Sequence, residues 1–79
     1  MQDTDLVAML LNESEESECE IHVHIGRDVS VGVRRGYVGD YMQLSRENVM
    51  DCKDPTNMLY VILRRLITSV VNHKMPADD

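Results

Sequence analysis

Seventy-nine residues make one small domain, and with no Trp and no Phe its core lacks the largest space-filling side chains. The net charge of −6 is uneven: residues 1–20 hold seven acids and no Lys or Arg, whereas residues 21–79 hold seven acids against eight bases. No window reaches the length of a membrane span, and the acidic start lacks the basic stretch and apolar run of a secretion signal. Cys19 and Cys52 make no disulfide framework, so both read as reduced thiols in the cytoplasm, a host cell's if the chain is viral.

The chain opens with a short predicted helix. Asp3 or Thr4 can cap it, it carries Leu6, Val7, Met9, Leu10 and Leu11, and Asn12 ends it. Residues 13–18, Glu-Ser-Glu-Glu-Ser-Glu, read as a solvated acidic linker, because like charges oppose compaction and Ser favours loops.

A hairpin follows over residues 20–35. Ile21, Val23 and Ile25 alternate with Glu20, His22 and His24; Val29, Val31 and Val33 alternate with Ser30, Gly32 and Arg34. With Gly26-Arg27-Asp28 as the loop, Ile25 pairs with Val29, Val23 with Val31 and Ile21 with Val33. A one-residue slip would bury the wrong face, so the apolar pattern selects this register. Two strands alone are marginal, and Tyr37-Val38 with Tyr41-Met42-Gln43-Leu44 is the candidate third strand. Asp40 and Gln43 also match a capping box, which leaves a helix over 41–51 as the alternative.

The dominant element is a helix after Asp54-Pro55, a capping residue followed by a proline at a position where its missing N–H costs nothing. Leu59, Ile62, Leu63, Leu66, Ile67 and Val70 share one face of it. His73 and Lys74 are expected in its last turn, Pro76 stops it, and 75–79 form a tail. The predicted fold is α+β: a short N-terminal helix, a small antiparallel sheet and a C-terminal helix packed across it. The single domain comprises a helix and acidic linker over 1–18, a body over 19–74 and the tail.

Several constellations could carry chemistry. His22 and His24 share a strand face with Glu20 and could hold a metal ion if the fold supplied a third ligand such as His73 or Asp28. The plainer reading is two polar side chains on a solvated sheet. Cys19 and Cys52 show no Cys-x-x-Cys spacing, and Cys19 falls on the core face. No nucleophile elbow or phosphate-binding glycine loop occurs, so neither an enzyme nor a cofactor is expected.

Arg34, Arg35 and Tyr37 form the one patch that suggests nucleic acid. The order helix, three strands, helix is similar to that of double-stranded RNA-binding domains, an analogy of element order alone. Those domains carry a lysine cluster at the start of the last helix, and here that start reads Asp54-Pro55-Thr56-Asn57.

The expectation for function is a non-enzymatic protein-binding module, an inhibitor or regulatory adaptor. Small acidic inhibitors encoded by phages share this size and charge, a likeness of class with no motif behind it. Glu13, Glu15, Glu16 and Glu18 are the candidates for meeting a basic partner surface. Tyr60, Ile67 and Val71, on a flank of the main helix, are the candidates for an apolar contact with a partner or a second copy. A nucleic-acid-associated protein using Arg34 and Arg35, and a metal-linked one using His22 and His24, are the alternatives.

Overall fold

The computed structural model describes residues 3–73. In chain order these form α1 (Asp3–Ser17), β1 (Glu20–Ile25), β2 (Asp28–Arg35), β3 (Val38–Ser45), α2 (Arg46–Asp51) and α3 (Pro55–Val71). The strands make one antiparallel sheet in the order β1-β2-β3. Helices α1 and α3 cover one face of it, and the other face is open. The α+β architecture is the expected one.

Helix α3 follows its sequence pattern closely. The Asp54 carboxylate accepts from the Asn57 N–H at 3.1 Å, Pro55 occupies the first turn, and the six predicted residues from Leu59 to Val70 are its buried set. They meet Val31 and Val33 of the central strand, and Leu63 is wholly excluded from solvent. Burying six such side chains contributes on the order of 10 kcal/mol before chain entropy is counted. The helix ends at Val71 with Asn72 as its cap, so His73 lies just past the last turn rather than in it. Lys74, Pro76 and the tail lie outside the described residues, as do the side chains of Asp3 and Thr4.

The hairpin has the predicted register, with Ile25 opposite Val29, Val23 opposite Val31 and Ile21 opposite Val33. β2 turns into β3 through Gly36-Tyr37. Gly36 has φ of 64° and Tyr37 has no positive φ, the pattern of a two-residue II′ turn. β3 runs unbroken through Gly39-Asp40, which settles the alternative for 41–51: strand to Ser45, then helix. The Ser45 hydroxyl caps α2 by accepting from the Asn48 N–H at 3.1 Å.

Residues 13–17 are not a linker. α1 continues through them to Ser17, and Glu18 closes it with φ of 58°. The repulsion that argued for a linker is offset from outside the helix, because Arg64 of α3 and Arg35 of β2 lie against it. Hydroxyls tie the end down: Ser17 donates to the Glu13 carbonyl at 2.6 Å and Ser14 to the Cys19 carbonyl at 2.7 Å.

Candidate functional site: an apolar cleft beside an acid–arginine band

The acidic half of α1 faces the molecule's own arginines. Glu13 is buried, with 6 % of its surface exposed, and its Oε1 accepts from Arg64 Nη1 at 2.7 Å. That hydrogen bond, with the attraction of the carboxylate, raises Arg64 above arginine's ordinary pKa. Glu18 lies 3.6 Å from Arg35, and Glu20 lies 3.5 Å from Arg34. Between α1 and α3 runs a groove of about 370 Å³ lined by Glu16, Ser17, Glu18, Arg35, Arg64 and Val71.

These contacts divide the predicted binding residues. Glu15, Glu16 and Glu18 are exposed, but Glu13 is sealed against Arg64 and does not offer its carboxylate to a partner. The predicted apolar flank divides in the same way. Tyr60 and Val71 are exposed, whereas Ile67 is 4 % exposed and belongs to the core, because α1 and the sheet close over it.

Arg34 and Arg35 stand at the end of β2, each opposite a carboxylate, and Tyr37 projects fully into solvent from the turn. A phosphate there would compete with Glu20 and Glu18. His22 and His24 stand exposed on the open sheet face, with His22 Nε2 3.4 Å from Glu20 and the His24 ring lying over Gly26. Among the described residues no group of three or more His, Cys, Asp or Glu side chains is placed to hold a metal ion. Cys19 is buried against the core, Cys52 is partly covered, and both are free thiols. No helix among the described residues is long and apolar enough to cross a membrane.

The feature that sequence reasoning missed lies at the opposite end of α1. Leu6 and Leu10, Val23 and Ile25 of β1, Val49 of α2 and Leu59 of α3 enclose an apolar cleft of about 160 Å³. Met50 also lines it and is 74 % exposed, and Ile25 is 71 % exposed. Val7 and Leu11 lie exposed on the same half of α1. One signal was available in the sequence: Leu6, Val7, Met9, Leu10 and Leu11 are too many apolar residues for one face of a short helix. No protein-family model, no curated protein and no solved structure matches the chain.

Proposed function

We propose that the chain is a non-enzymatic protein-binding module, an inhibitor or regulatory adaptor acting in the cytoplasm, of a host cell if the chain is viral. The observation that supports this most directly is the apolar cleft with Ile25 and Met50 on its rim. Solvent-facing apolar side chains gathered around a concavity are the usual mark of a surface that another protein covers. The exposed Glu15 and Glu16, at the other end of α1 from the cleft, suit a basic region on a partner, steering association more than adding affinity. The nucleic-acid alternative is the weaker one, since Arg34 and Arg35 already face carboxylates.

The test is affinity capture from the native source with the wild-type chain and with an Ile25→Lys/Met50→Glu variant. Capture of a defined protein by the first and not by the second is expected. Equal capture by both would remove the cleft from the binding surface.

A further inference from the structure

The sheet has two edges, and they are built differently. The two-residue turn at Gly36-Tyr37 makes Arg35 and Val38 a hydrogen-bonded pair. Hydrogen-bonded and non-bonded rows alternate in an antiparallel ladder, so Val29, Val31 and Val33 bond to β3 while Ser30, Gly32 and Arg34 bond to β1. It follows that Glu20, His22 and His24 bond inward to β2. The N–H and C=O groups of Ile21, Val23 and Ile25 therefore point out from the β1 edge. The same parity turns Gly39, Tyr41 and Gln43 outward on β3, and there the outward Tyr41 N–H is already taken, donating to the Asp40 carboxylate at 2.8 Å.

Edge strands are commonly protected by prolines, bulges, charged side chains or inward-pointing acids. β3 has such a device: Asp40 falls on the same face as Val33, and its second oxygen accepts from the Ser69 hydroxyl at 3.2 Å. β1, Glu-Ile-His-Val-His-Ile, has no proline and no Lys or Arg, and it pairs with β2 without a bulge. Two exposed apolar residues meet at its end: Ile25 on the strand itself and Met50, which lines the same cleft. Glu13 turns toward α3, and at 100° per residue Val7 and Leu11 lie roughly 120° and 160° round the α1 axis from it, on the side away from α3, next to Leu6 and Leu10, which meet Val23 and Ile25 in the cleft.

We infer that the β1 edge is a pairing surface for a second copy of this chain, a conclusion that rests on the protein-binding reading above and names the partner. The strand is self-complementary in one register. Antiparallel pairing about Val23 sets Val23 against Val23, and Ile21 of each copy against Ile25 of the other. All three outward-facing residues then sit in hydrogen-bonded rows, giving about six new backbone hydrogen bonds. Apolar residues meet on the covered face, His22 meets His24 on the open face, and the sheet doubles to six strands. Ile25 gains a neighbour, and the two α1 helices approach on the same side of the sheet with Val7 and Leu11 between them. A register shifted by two residues, with Ile21 against Val23, leaves Ile25 outside the apolar rows.

Sedimentation and amide exchange of the full chain over a range of concentrations test this. The expected result is a mass of two chains, with exchange at Ile21, Val23 and Ile25 slowed about tenfold or more at high concentration and the outward β3 amides Gly39 and Gln43 unchanged. Ile25→Lys should then be monomeric with an unaltered circular dichroism spectrum. Val23→Pro provides a second variant, because it removes the central outward-facing donor and no β1–β2 hydrogen bond, with circular dichroism checking that the loss of the Val23 side chain from the cleft leaves the fold intact. A wild-type chain that stays monomeric overturns the inference, as does a dimer whose β1 amides exchange freely. Protection of those amides only upon adding a captured foreign protein would overturn the second copy as partner while leaving the protein-binding reading standing.

Discussion

The two halves of α1 solve opposite problems. The C-terminal half carries most of the acidity, yet Glu13 and Glu18 are held by Arg64 and Arg35, so charge that would repel a compact chain ties a helix to it. The N-terminal half has the apolar residues that ought to be hidden, yet Val7 and Leu11 are exposed and Leu6 and Leu10 line a cleft with an open rim. The polar half is thus partnered within the molecule and the apolar half is left incomplete. Charge counted along a sequence does not say where a protein has binding capacity to spare; unsatisfied surface in the fold does.

The largest test removes the platform beneath both halves. Val31 is 1 % exposed at the centre of the core, and Val31→Asp should unfold the domain, at a cost of about 4 kcal/mol or more for an unpaired buried charge. Ser30→Asp, one residue along on the open face, should stay within about 1 kcal/mol of wild type. Circular dichroism melts of the two decide it, and equal effects would mean that the faces are wrongly assigned.

Next comes the polar half. Arg64→Ala strands the Glu13 carboxylate and should lower the melting temperature clearly. Glu13→Leu with Arg64→Met should restore most of it, because removing both members of a covered pair is milder than removing one. A single variant that melts like wild type would show that this pair does not tether α1.

The apolar half should respond in the reverse sense. Ile25→Lys and Met50→Glu change side chains that already meet water, so each melting temperature should move little, while association through this end is lost. Tyr60→Glu with Val71→Glu, on the other exposed flank, should leave the oligomeric mass unchanged. Light scattering separates the two surfaces directly.

The smallest effect concerns the outward acids. Glu15→Gln with Glu16→Gln should leave stability unaltered and slow association with a basic partner at low salt, the difference fading as salt is added. A change in the dissociation rate alone would place these carboxylates inside the interface rather than outside it.

What the sequence by itself determined was whatever repeats within one element or across one tight turn. The period-two alternation of Ile21, Val23 and Ile25 with that of Val29, Val31 and Val33 set the hairpin register, and the three-and-four spacing from Leu59 to Val70 set the buried face of α3. Asp54-Pro55 marked where that helix begins, through a cap that operates over three residues. The tertiary structure alone decided the fate of residues 13–18, the burial of Glu13 and Ile67, and the cleft at Leu6 and Leu10. Glu13 and Arg64 are 51 positions apart, and no local period relates them. A run of glutamates is a linker or a helix according to which cations the fold brings to it, and an apolar residue is core or surface according to which elements close over it. Both depend on long-range geometry that a residue's near neighbours do not encode.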